Sequence, residues 1–114
     1  VGFVIGDVEG RNAIIIDDLI ATGGSICQAA RVLKEKGAKD IYVGATHPVL
    51  CGAAAEKLAN APIKEIAVTD TIPLNEHAKS LGEKIKVLTV SNLLGEAIKR
   101  IHTNMSISSM FIEQ

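Results

Sequence analysis

Aromatic side chains are nearly missing from this chain: no tryptophan, one tyrosine and two phenylalanines among 114 residues. Little surface is therefore left on which nucleobases could stack. An excess of one charge is also missing, since 12 Lys and Arg against 13 Asp and Glu give a formal charge of −1. No broad field would draw such a chain to nucleic acid or to an anionic membrane. No apolar run reaches the roughly 20 residues of a membrane-spanning helix, and no leader-type segment is evident. Cys27 and Cys51 lack zinc-site spacing and are expected to be buried, reduced thiols of a cytoplasmic protein. His47, His77 and His102 are too scattered to suggest a metal centre. The length suits one domain with a real core. Because the chain opens at Val1, inside an expected strand and without Met, it is expected to be a fragment.

What is present is concentrated in Ala13–Ile26, A-I-I-I-D-D-L-I-A-T-G-G-S-I. Three consecutive isoleucines read as a strand buried on both faces. Asp17 and Asp18 follow where that strand should end, and Thr22, Gly23, Gly24 and Ser25 precede a helical pattern. Ligands of open parallel sheets lie beyond the carboxyl ends of the strands. A Gly-Gly turn feeding a helix start converges backbone N–H groups and partial positive charge, which suits a phosphate. Gly24 is expected at positive φ, where a β-branched side chain would be excluded. The two carboxylates just upstream can accept hydrogen bonds from sugar hydroxyls or hold hydrated Mg²⁺. A phosphate at one end and a diol at the other describe a ribose 5-phosphate. The alternative is a strand–turn–helix junction without a ligand, with Ser25 as an ordinary N-cap.

Around this stretch the pattern alternates. Strands are expected at Gly2–Val8, Ala13–Asp17, Ile41–Thr46, Ile63–Thr69 and Lys84–Thr89, the third ended by His47-Pro48. Helices are expected at Ser25–Lys36, closed by Gly37, at about Gly52–Ala59, and at Ser91–His102, with Ser91 as N-cap and Glu96 paired to Arg100. Asn75–Gly82 reads as a polar connection, and Asn104–Gln114 as a tail with a short edge strand. Asp70 falls at a strand end on the ligand side, or merely caps the next turn. The whole is an α/β domain with a mainly parallel sheet flanked by helices.

The stretch D-D-L-I-A-T-G-G-S resembles the phosphoribosyl pyrophosphate motif shared by type I phosphoribosyltransferases and ribose-phosphate pyrophosphokinases. Three further stretches resemble the pyrophosphokinases: A-T-H-P-V-L-C-G-A-A at Ala45–Ala54, V-T-D-T-I-P at Val68–Pro73, and L-L-G-E-A-I-K-R-I-H with S-I-S-S-M-F at Leu93–Phe111. The resemblance covers essentially the whole chain. It implies a phosphoribosyltransferase-like fold and the C-terminal, ribose-phosphate-binding domain of a bacterial class I enzyme. Such an enzyme transfers diphosphate from ATP to the C1 hydroxyl of ribose 5-phosphate, giving phosphoribosyl pyrophosphate and AMP.

Carried over by position, Asp17 and Asp18 would bind the ribose hydroxyls, directly or through hydrated Mg²⁺. Thr22, Gly23, Gly24 and Ser25 would cradle the 5-phosphate. Ser106, Ser108 and Phe111 would form part of a phosphate or ADP regulatory site between subunits. The resemblance further implies a homo-oligomer, a hexamer in this family. ATP would be bound by an N-terminal domain absent from this chain, which also holds the catalytic basic loop. No catalytic residue is thus expected in the fragment, and it should not turn over alone. Ala21 departs from the pattern, because many pyrophosphokinases carry a third Asp there. The competing readings are a type I phosphoribosyltransferase, which would need a base-binding hood, and a non-catalytic synthetase-associated subunit.

Overall fold

The computed structural model describes residues 7–104, 106 and 108–111. Four strands, β1 (Ala13–Ile20), β2 (Ile41–Pro48), β3 (Glu65–Thr69) and β4 (Ile85–Leu88), form one parallel sheet in the order β1-β2-β3-β4. Helices α1 (Gly24–Glu35) and α2 (Ala54–Ala59) make the first two crossovers, and 3-10 turns over Glu76–Lys84 make the third. Helix α3 (Ser91–His102) and a 3-10 turn at Ser108–Phe111 follow β4. The α/β class and parallel sheet are as expected. Most of the expected first strand, Gly2–Val8, lies outside the described residues.

Strand order decides where the core sits. Parallel strands joined by right-handed crossovers, advancing in one direction, leave every connecting element on the same face of the sheet. Ile41, Val43, Ala45, Ile66 and Val68 accordingly bury against Ile26, Cys27 and Ala30 of α1, Ala54, Ala55 and Leu58 of α2, and Ala78 and Leu81 of the 3-10 segment. On the opposite face Ile14 and Ile16 are 66% and 75% exposed. The expectation of a first strand buried on both faces is therefore corrected among the described residues. Helix α3 buries none of its side chains, and its apolar stripe of Leu93, Leu94, Ile98 and Ile101 is exposed.

Several boundaries differ for local reasons. Strand β1 does not end at Asp17 but runs to Ile20, because Leu19 and Ile20 continue in register with His47 and Pro48 of β2. His47-Pro48 therefore lies inside β2. Helix α1 starts at Gly24, with Gly23 rather than Ser25 in the N-cap position and no side-chain cap. Its other end is as expected: Gly37, at φ +91°, donates to the Lys34 carbonyl while Ala38 donates to that of Leu33. These paired bonds satisfy carbonyls that the helix end would leave open. The span of α3 is as expected and Arg100 Nε donates to Glu96 Oε1 at 2.9 Å, but Val90, not Ser91, is its N-cap. The polar connection contains the buried Ala78 and Leu81, and the described residues of the tail form a 3-10 turn at Ser108–Phe111 where an edge strand was expected. Of the two thiols only Cys27 is buried; Cys51 is exposed.

Candidate functional site

All four strands run the same way, so their carboxyl ends share one edge of the sheet. That edge carries Asp17 and Asp18, then Thr46 and His47, then Thr69, Asp70 and Thr71, and then Thr89. Asp17 and Asp18 are both exposed and, by the two-residue period of a strand, project to opposite faces. They are not equivalent: Asp17 Oδ1 accepts the Asp18 N–H at 2.8 Å, tying one carboxylate oxygen to the backbone.

The turn after β1 is shaped by Gly23. Its φ of +79° is the left-handed conformation, and an added Cβ would sit 3.4 Å from Leu58 Cγ and 3.7 Å from the Ala54 carbonyl oxygen. The positive φ expected at Gly24 belongs instead to Gly23. Gly23 is thus fixed by its backbone conformation, since a Cβ there would make only ordinary van der Waals contact with α2. Gly24 N–H points to Thr22 Oγ1 at a long 3.5 Å, and the Cys27 N–H makes the helix's opening bond to the Gly23 carbonyl at 2.9 Å. A helix leaves its first N–H groups without intrahelical acceptors, and among the described residues only the long bond from Thr22 reaches them, with no side-chain cap from the N-cap position and no acidic residue in the first turn. Thr22, Gly24 and Ser25 are exposed around them. The arrangement can receive an anion at the loop while two carboxylates stand one turn of chain away.

Two groups of polar side chains at this edge escaped sequence reasoning because they form across strands. The Thr46 carbonyl accepts from Thr69 Oγ1 at 2.7 Å and from Thr71 Oγ1 at 3.3 Å, while His47 Nδ1 lies 2.8 Å from Thr71 Oγ1. His47 is thereby oriented by the segment that follows β3. Asp70 Oδ1 accepts the Val90 N–H at 2.9 Å, so it ties the segment after β3 to the junction between β4 and α3. A hydrogen bond from the Thr89 side chain, with that from Val90, lowers its carboxyl pKa below the usual value. A cleft of about 380 Å³ between α2 and the 3-10 segment is lined by Glu56, Glu76 and His77 among others, and its two carboxylates make it a poor fit for an anion.

Ser106 and Ser108 face each other at the end of the chain, Oγ to Oγ 2.9 Å, and the Ser106 carbonyl accepts from Arg100 Nη1 at 3.0 Å. The side chain of Phe111 lies outside the described residues. Among the described residues no group of three or more His, Cys, Asp or Glu is arranged to hold a metal ion, and no helix is long and apolar enough to cross a membrane.

The family model of the phosphoribosyl synthetase-associated domain matches residues 3–112. The chain belongs to this family. Its relatives include the ribose-phosphate pyrophosphokinase of Haemophilus influenzae, 55% identical over 108 residues that make up 95% of this chain and 34% of the relative. The ribose-phosphate pyrophosphokinase of Caldanaerobacter subterraneus is 54% identical over the same shares of each chain. Among solved structures, the phosphoribosylpyrophosphate synthetase from Mycobacterium smegmatis superposes with a TM-score of 0.81 at 39% identity, over 88% of this chain and 33% of that one. This member of the family thus spans about a third of the length of the relatives it matches.

Proposed function

We propose that the chain is the ribose 5-phosphate-binding part of a ribose-phosphate diphosphokinase, with the ATP-binding groups carried by the rest of a longer, homo-oligomeric polypeptide. One observation carries this reading: an uncapped helix start, opened by the left-handed Gly23, lies directly after a strand that presents two exposed carboxylates. The 5-phosphate would take the N–H groups of the loop and the first turn of α1, with the Thr22 and Ser25 hydroxyls beside them. The ribose hydroxyls would donate to Asp18, on the face away from Asp17, whose Oδ1 is tied to the Asp18 N–H. In the complete enzyme the C1 hydroxyl oxygen attacks the β-phosphorus of ATP, its proton is lost, and the bond from that phosphorus to the oxygen bridging to the α-phosphorus breaks to release AMP.

Asp17 and Asp18 are also the residues that would hold Mg²⁺. Because the two project to opposite faces, one of these exposed carboxylates would hold the hydrated ion, which completes its shell with water and substrate oxygens. When bound it would neutralise charge on the transferring diphosphate. The position of this part at the C-terminal end of the longer polypeptide rests on the tail resemblance alone, as does a regulatory anion site at Ser106, Ser108 and Phe111. A second reading, a non-catalytic associated subunit, draws on Ala21, whose methyl group supplies no third acidic ligand.

The test is a calorimetric titration of this chain with inorganic phosphate and with ribose 5-phosphate. Both should bind, and Gly23→Val should abolish both. Asp18→Asn should weaken ribose 5-phosphate by about 1.5–3 kcal/mol, the range for a hydrogen bond to a charged group, and leave phosphate unchanged. Equal losses for the two ligands would remove the sugar-binding role.

A further inference from the structure

The β2–α2 turn contains a strained residue to which no role has yet been given. Leu50 is 1% exposed and has φ +50°, the left-handed region that side-chain-bearing residues rarely adopt. Its peptide groups are gripped on both sides. The Leu50 N–H donates to the Ile20 carbonyl at 2.9 Å, and the Leu50 carbonyl accepts Asn75 Nδ2 at 3.0 Å. The next N–H, that of Cys51, donates to the Ala21 carbonyl at 2.9 Å. The two carbonyls immediately before Thr22 are therefore held by this turn, and the turn is held by Asn75. The orientation of the Asn75 amide is set by its partners: Oδ1 accepts the Ala78 N–H at 3.1 Å, so exchanging oxygen and nitrogen would oppose donor to donor and acceptor to acceptor.

We infer that Asn75 is a positioning residue for the Thr22–Ser25 loop, acting through the backbone of Leu50 and touching no ligand. Without the amide donor, the carbonyl of a buried residue loses its partner at the point where φ is least favourable. The turn then relaxes away from the left-handed conformation, which carries the Leu50 and Cys51 N–H groups off Ile20 and Ala21. The loop loses its fixed starting point, and α1 can no longer present its first amides in one geometry. The identity of the ligand rests on the function proposed above; the mechanical link from Asn75 to the loop does not.

Asn75→Asp is the informative change, because it keeps the size of the side chain and the acceptor for Ala78 while replacing the donor by a carboxylate oxygen. The ¹⁵N-labelled chain and the variant are compared by amide hydrogen exchange and by titration with inorganic phosphate and ribose 5-phosphate. Exchange at Leu50 and Cys51 should quicken about three- to tenfold relative to Ile66 and Val68 in the sheet, the equilibrium equivalent of one lost hydrogen bond. The dissociation constants for both ligands should rise by the same factor. Lys79→Ala, which removes the exposed ion pair with Glu76 on the same 3-10 segment and leaves the Asn75 amide and its partners intact, should change neither. If the aspartate variant does not fold, Asn75→Ser, which keeps a cap acceptor but carries no amide, gives the same comparison. Unchanged exchange at Leu50 and Cys51, or an equal effect from Lys79→Ala, would overturn the inference. Failure of the unmodified chain to bind either ligand would instead remove the proposed function, and the exchange measurement would still decide the role of Asn75.

Discussion

The two faces of the sheet have had different fates. One carries α1, α2 and the 3-10 segment and buries Ile41, Val43, Ala45, Ile66 and Val68 against them; the other shows Ile14 and Ile16 to solvent among the described residues. Both faces are apolar along β1, so composition does not distinguish them. What does is the one-way strand order β1-β2-β3-β4, which with right-handed crossovers returns every connection to the same side. The candidate site belongs to neither face. It sits on the edge where the strands end, and its loop turns through the left-handed Gly23 into α1 on the covered side.

The comparison is broken most severely by removing a side chain from the covered face. Leu58→Ala, at a fully buried position, should cost about 2–5 kcal/mol in urea unfolding, while Ile16→Ala on the bare face should stay within about 0.5 kcal/mol. Equal losses would mean that the bare face is covered in solution. A smaller effect is expected from Lys84, whose Nζ donates to the Leu58, Ala59 and Ala61 carbonyls at 2.7, 3.2 and 3.1 Å and so closes the end of α2. Lys84→Met should cost about 1.5–3 kcal/mol, the range for hydrogen bonds from a charged donor, in the same unfolding measurement.

The smallest effect should come from Asp70, on the exposed edge. Its carboxyl pKa is lowered in the folded chain by Thr89 and Val90. The stabilisation it gives is therefore complete above the ordinary carboxylate value and disappears as pH falls through the lowered folded value. Protection of the Val90 amide should vanish over that acid window, and Asp70→Asn should abolish the pH dependence of that protection. A Val90 amide that exchanges identically in both chains would show that this bond is not formed in solution.

Local chemistry was the part of the fold legible in the residues. The period of apolar positions and Gly37 gave α1 to within a residue at its ends, and the span of α3 was read without error. The isoleucine run was misread because a short apolar strand announces burial without saying which side will be covered; strand order settles that, and strand order is long-range. Asp17 and Asp18 looked like a strand end because acidic residues suit turns, yet backbone pairing with β2 continues past them. Ser25 had the chemistry of a cap, but the turn passes through the left-handed Gly23, which takes the N-cap position and leaves Ser25 inside the first helical turn. The residues of the candidate loop were legible because they are contiguous. The Thr46–His47–Thr69–Thr71 cluster and the Asn75–Leu50 bond were not, since each joins segments about 25 residues apart.

The unequal burial of the two cysteines gives the molecule a built-in clock. Cys51 stands exposed, whereas Cys27 lies in the core with a thiol pKa raised by desolvation. Thiolate is the reactive form, so a thiol-specific dye should modify Cys51 at once and Cys27 only when α1 lifts from the sheet. The delay between the first and second equivalents of dye then times the opening of the covered face, with no label or substitution introduced beforehand.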